Sequence, residues 1–164
     1  MLSDKPIVSQ LVALCSEKGI RKAVISPGSR NAPITISLDE HPNIDCISIS
    51  DERSAAFYAM GMAQGLNEPV AIVCTSGSAS LNYAPAIAEA YYQKIPLLVI
   101  TADRPVEWVD QGDGQTIVQR DLYKNFIRKS FELPQESLHK DELWSAGRIV
   151  NEAIDTTRGP VPGP

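Results

Sequence analysis

Histidine is nearly missing from this chain. His41 and His139 are the only two, too few and too far apart for a histidine-based metal site. The three cysteines, Cys15, Cys46 and Cys74, lie in apolar segments without CxxC spacing. That excludes a zinc ribbon or disulfide framework and points to free thiols in a reducing compartment. A basic surface is lacking too: the net charge of −5 and pI near 5.0 leave no nucleic-acid footprint. No apolar run approaches the roughly 20 residues that span a bilayer; the longest, Ile95–Ile100, has strand length. The opening MLSDKPIVSQ has neither the basic nor the apolar region of a signal peptide, so a cytoplasmic location is expected. Neither GxGxxG nor a P-loop occurs, which leaves dinucleotide and P-loop binding unsupported. Ser76 in TSGS does not match GxSxG and no suitable histidine follows, against a serine hydrolase.

What is present is the composition of an ordinary globular chain. At 164 residues and 43% hydrophobic content it is about one domain. Its order is alternating. Apolar spacing predicts a helix over 6–18, stopped by Gly19, then a strand within 21–26 around Ala23-Val24-Ile25. The turn Ser26-Pro27-Gly28-Ser29-Arg30-Asn31 leads into a helix over 33–40. Next come a strand over 44–49, a helix over 52–66, a strand over 69–74 and a helix over 81–93. A strand over 95–101 closes on Ala102-Asp103-Arg104-Pro105. A polar, glycine-interrupted loop from 106 to 116 carries Asp110-Gln111-Gly112-Asp113-Gly114-Gln115, and loops of this length are usually functional or mobile. A short helix within 117–126, a fifth strand over 127–133 and a long amphipathic helix over 140–157, with Leu143, Ile149, Val150 and Ile154 inward, are expected to complete the body. The tail from 158 to 164 reads as a linker or cut end. Such alternation argues an α/β fold, a parallel sheet with helices on both faces. The loops after the strands then share one rim, where open α/β sheets bind ligands.

Each rim segment has two readings. Glu52 follows a strand directly and opens a helix rich in small residues, Ala55, Ala56, Ala59, Gly61 and Ala63. It is either a first-turn partner of the helix dipole or a carboxylate with chemistry to perform. Ser29 and Arg30 belong either to a capped turn with a solvated guanidinium or to a site for a carboxylate or phosphate, which an Arg fork grips bidentately. Thr75-Ser76-Gly77-Ser78 allows close approach of a flat ligand or of another backbone. Arg104 could pair with Asp103, and Gln115 could be a surface amide.

Taken together, SPGSRNAPIT, ISDERSAAFYAMGMAQ, the block from VAIVCTSGSASLNYAPAIAEAYYQKIPLLVITADRP, and DQGDGQTIVQ resemble the N-terminal, pyrimidine-binding domain of thiamin-diphosphate-dependent enzymes. SPGSR, ISDERSAAF, and TADRP followed by the loop glutamine are similar to the 2-succinyl-5-enolpyruvyl-6-hydroxy-3-cyclohexene-1-carboxylate (SEPHCHC) synthases of menaquinone biosynthesis. The resemblance covers nearly the whole chain. It implies a three-layer, mostly parallel sheet of about six strands, with 1–158 as the pyrimidine-binding domain and 159–164 leading out of it. It implies a transferase that decarboxylates 2-oxoglutarate and adds the succinyl-semialdehyde unit to isochorismate, using thiamin diphosphate. Glu52 would be catalytic, meeting N1′ of the aminopyrimidine. Thr75, Gly77 and Gln115 would join it in holding the cofactor. Ser29, Arg30, Arg104 and Gln115 would bind substrate. Mg²⁺ or Mn²⁺ would be held by a C-terminal domain absent here, since no GDG motif followed by Asn occurs. The cofactor would lie between two chains of a homodimer or homotetramer. Where the resembled family often has Asn before the loop glutamine, this chain has Gly114. An acetolactate-synthase-like decarboxylase and a non-catalytic dimerisation or binding module are the alternatives.

Overall fold

A computed structural model describes residues 3–135 and 139–164. Its centre is a parallel sheet of β1 (Lys22–Ile25), β2 (Asp45–Ser48), β3 (Val70–Cys74) and β4 (Leu97–Thr101), in the order β2-β1-β3-β4. Val24 lies opposite Ile47 on one side and Ile72 on the other, and Ile72 lies opposite Val99. β3 is buried at every residue, which is why it reads as an unbroken apolar run rather than an alternating one. β2 is an edge strand and shows it: its end residues are exposed, and Asp45 reaches across to Lys22 at 2.5 Å.

Because side chains alternate along a strand, the sheet feeds two cores. Val24, Val70, Ile72, Cys74 and Leu97 face α3 (Glu52–Leu66), α4 (Ser78–Asn82) and α5 (Ala84–Gln93). Ala23, Ile25, Ala71, Val73 and Leu98 face α1 (Pro6–Glu17), α2 (Ala32–Asp39) and α6 (Lys140–Thr157). The alanines read as a small face do pack: Ala55, Ala56, Ala59 and Ala63 of α3 share a core with Ala86 and Ala90 of α5. On the other face α6 buries Ala146, Gly147, Val150 and Ile154, while Leu143 and Ile149 are half-buried. Cys15 and Cys74 are buried and Cys46 half-buried, all as free thiols. Burial pushes the Cys15 thiol up to about 12.

Four expectations need correction. Among the described residues the sheet has four strands, not about six. Residues 127–133 form no strand: Arg128 donates its N–H to the Pro164 carbonyl at 2.7 Å and its guanidinium to the carbonyls of Pro162 and Tyr91, so the segment grips the tail rather than β4. Within 117–126 only a 3₁₀ turn, Lys124–Phe126, forms, because Asp121 takes φ +56 and stops any longer helix. The helix expected over 81–93 begins earlier, at Ser78, and divides at Tyr83. Pro85 lacks the N–H that would continue the ladder and is instead suited to the first turn of a new helix. The tail itself is packed, with Gly163 and Pro164 buried. Among the described residues no strand pairs with the outer edge of β4, which lies beside a groove of about 1000 Å³ lined by Leu98, Ile100, Phe131 and Ile149.

Candidate functional site

The change of sheet face between the neighbouring strands β1 and β3 sets the site. β1 runs on into α2 on one face, and β3 runs on into α4 on the other, so a crevice opens between their carboxyl ends. The two loops meet at its floor. A Cβ on Gly28 would fall 2.6 Å from the Thr75 Cβ. Asn31 is fully buried and donates its side-chain amide to the Ser26 carbonyl at 3.0 Å, which locks the turn that presents Ser29 and Arg30. Thr75 is buried, its hydroxyl without a hydrogen-bond partner among the described residues.

Gln115 is brought into this crevice by its backbone. It takes φ +55, and its carbonyl accepts from the Ser76 hydroxyl at 2.9 Å. Its main chain lies directly over Gly77, where an added Cβ would stand 2.5 Å from the Gln115 carbonyl carbon. Its side-chain oxygen accepts from the Arg30 guanidinium at 3.0 Å. Arg30, Gly77 and Gln115 are thus joined, although they lie far apart in sequence. The loop is held at a second point: Arg104 forms an ion pair with Asp113, and Thr116 donates its hydroxyl to the same carboxylate at 3.1 Å. The Arg104–Asp103 pairing considered above does not form through side chains. Asp103 accepts from the Arg104 backbone N–H at 2.7 Å, and burial, with a smaller push from the Glu132 charge, holds its carboxyl above the usual range. The Arg104 guanidinium also lies 5.9 Å from the Trp108 ring.

Glu52 stands in the first turn of α3 on the same rim. Asp51 caps that helix, accepting from the Ser54 N–H at 2.7 Å, so Glu52 is not needed as the cap. Its carboxylate makes no ion pair or hydrogen bond among the described residues. Its charge is felt at Cys74, whose thiol is pushed up to about 12, chiefly by burial. Ser29 is exposed and makes no hydrogen bond among the described residues. Sequence reasoning did not single out Asp113, Gln119 or Tyr123. Gln119 bonds both to Gly77 and to the end of β4, and the Tyr123 hydroxyl donates to the Ser80 carbonyl. Asp113 and Gln119 lie within DQGDGQTIVQ, but nothing in that stretch separates them from its other polar residues, and no short motif marks Tyr123.

Residues 7–124 match the family model for thiamine pyrophosphate enzymes, N-terminal TPP binding domain. The chain belongs to this family. Within this TPP-binding domain family it is similar to proteins named 2-succinyl-5-enolpyruvyl-6-hydroxy-3-cyclohexene-1-carboxylate synthase. That of Bacteroides fragilis is 51% identical over 154 residues, covering 94% of this chain and 28% of the relative. That of Christiangramia forsetii is 59% identical over 134 residues, covering 82% and 23%. That of Porphyromonas gingivalis is 49% identical over 162 residues, covering 99% and 28%. The chain therefore spans under a third of the length of these relatives. The matched region of this TPP-binding domain runs from α1 through the Gln115 loop and holds every rim residue described above. Among its described residues no three His, Cys, Asp or Glu side chains converge as a metal site, and no helix is long and apolar enough to cross a membrane.

Proposed function

We propose that this chain is the N-terminal, pyrimidine-binding part, residues 1–158, of a longer SEPHCHC synthase, with 159–164 leading towards a C-terminal domain. The proposed reaction decarboxylates 2-oxoglutarate and transfers the succinyl-semialdehyde unit to isochorismate, in the cytoplasm. The single observation that carries this reading is the contact of Arg30 with Gln115. It joins SPGSR to DQGDGQ, the two stretches that resemble these synthases most specifically, on the rim that also carries Glu52.

The residues present suit the aminopyrimidine end of thiamin diphosphate. The Glu52 carboxylate stands on the rim at the start of α3, without an ion pair among the described residues. The buried Thr75 hydroxyl has no partner among the described residues, and Gly77 lets the Gln115 main chain close over the same turn. When bound, thiamin diphosphate supplies the thiazolium chemistry that cleaves 2-oxo acids. Glu52 would hold and return a proton at N1′, the acid–base task that a positioned carboxyl performs. Thr75 and Gly77 would line the ring's approach. Ser29, Arg30 and Arg104 would grip the carboxylates of isochorismate, which charge-assisted donors suit. Gln115, already oriented by Arg30, would face the reacting centre. Mg²⁺ or Mn²⁺ would be bound by the C-terminal domain, and two or four full-length chains would complete the sites.

The direct test is turnover of isochorismate and 2-oxoglutarate by the full-length protein with thiamin diphosphate and Mg²⁺; release of CO₂ without the coupled product would reject the reading. In that protein Arg30→Ala and Arg104→Ala are each expected to weaken isochorismate use about ten- to a hundredfold. Loss of one charge-assisted hydrogen bond is worth about 1.5–3 kcal/mol. Steady-state kinetics with isochorismate varied checks this, and unchanged constants in both variants would remove the two arginines from the substrate site.

A further inference from the structure

We infer that Gln119 is the positioning residue that sets Gln115 over Gly77; the consequence for turnover rests on the function proposed above. The Gln119 amide is used completely. Its oxygen accepts from the Gly77 N–H at 2.7 Å, and its NH₂ donates to the Ala102 carbonyl at 2.9 Å and the Thr101 hydroxyl at 3.2 Å. An amide has one carbonyl acceptor and two N–H donors, and here each meets a complementary group. The reversed amide would set oxygen against the Ala102 carbonyl and NH₂ against the Gly77 N–H, so the orientation is fixed.

Gly77 lies in the turn after β3, and Thr101, with Ala102 after it, ends the neighbouring strand β4. Cys74 of β3 lies opposite Thr101 of β4, so Gln119 staples the two strand ends where the chain leaves each. The loop from 102 to 114 departs from this point and returns to it, and Gln119 closes it four residues after Gln115. The Ser76 hydroxyl, holding the Gln115 carbonyl, is a second staple on the other side of Gly77. Gln115 itself makes its side-chain contact outward, to Arg30. The backbone of Gln115 is thereby placed by Ser76 directly and by Gln119 through Gly77, while its side chain meets Arg30. A misplacement of about 1 Å in such a group costs up to about a hundredfold in rate.

The test uses the full-length protein and two readouts. Gln119→Met keeps the length of the side chain and removes its three hydrogen bonds; Ser76→Ala removes the other staple and little else. Amide hydrogen exchange, which needs no turnover, is expected to speed up at least about tenfold over residues 111–118 in each variant, with the sheet unchanged. kcat is expected to fall about ten- to a hundredfold in Gln119→Met, and the fall is expected to vanish when Gln119→Met is added to Gln115→Ala, because both act through one residue. Unaltered exchange over 111–118 in both variants overturns the inference, and so do kcat losses that multiply in the double variant. If the wild-type protein does not turn over isochorismate, the functional reading fails on that result and the exchange measurement alone decides the role of Gln119.

Discussion

Glu52→Gln in the full-length protein is expected to slow exchange of the C2 proton of bound thiamin diphosphate by about 10²–10⁴-fold, and turnover with it. Positioned acid–base groups contribute on this scale. The substitution keeps size and hydrogen-bonding capacity, but an amide cannot take up and release a proton at N1′. Helix α3 should survive it, since the cap is supplied by Asp51 and not by Glu52. If Glu52 serves only the helix dipole, the change costs at most about 1 kcal/mol of stability and leaves exchange intact. The measurement is C2 deuterium exchange at matched cofactor occupancy; equal rates in wild type and variant would return Glu52 to a structural role.

Gly77→Ala has the second large effect expected, and it acts through backbone geometry. Gly77 takes φ +76 and ψ −138, a conformation that L side chains rarely adopt and that costs about 1–3 kcal/mol when forced. The new Cβ would also stand 2.5 Å from the Gln115 carbonyl carbon, so the loop must lift away. Lifting it breaks the Ser76 and Arg30 contacts with Gln115 together. A fall in thermal midpoint with loss of at least tenfold in kcat is therefore expected. Gly61→Ala is the control. Gly61 is inside α3, and its Cβ would meet nothing within 4 Å, so stability should rise by about 0.5–1 kcal/mol. Thermal unfolding of both variants checks the contrast, and a neutral Gly77→Ala would show that the loop does not depend on close approach.

The contrast marks where sequence reading works here. The alternation of strand and helix was legible because each parallel strand is an apolar run followed by turn residues, and the ISDERSAAF junction put Glu52 on the rim without any tertiary information. The rim contacts were legible only as a shared location. Arg104 illustrates the limit: its neighbour Asp103 is the obvious partner by sequence, yet Asp113, across the loop, takes the guanidinium. That choice depends on unusual backbone angles, φ +61 at Asp110, +74 at Gly112 and +55 at Gln115, and non-glycine residues give little sign of them in advance. Residues 127–133 illustrate another. Ile127, Phe131 and Leu133 fall on one side of a two-residue period, with Arg128, Ser130 and Glu132 on the other, as in a strand, but pairing is a property of the sheet and not of the segment. Tyr83 shows the reverse case, a helix break announced by Pro85 and passed over because the apolar period continued through it.

The open edge of β4 sets how this 164-residue chain behaves in isolation. Strand edges in soluble proteins are usually blunted by a lysine, a proline or a bulge. Leu97–Thr101 has none of these: its paired side lies against β3, and its other side faces an apolar groove whose far wall, around Ile127 and Phe131, does not pair with it. Expressed alone, the chain carries an adhesive border: at high concentration copies should join edge to edge. Because backbone hydrogen bonds and apolar contact drive such joining, added salt should not disperse the clusters.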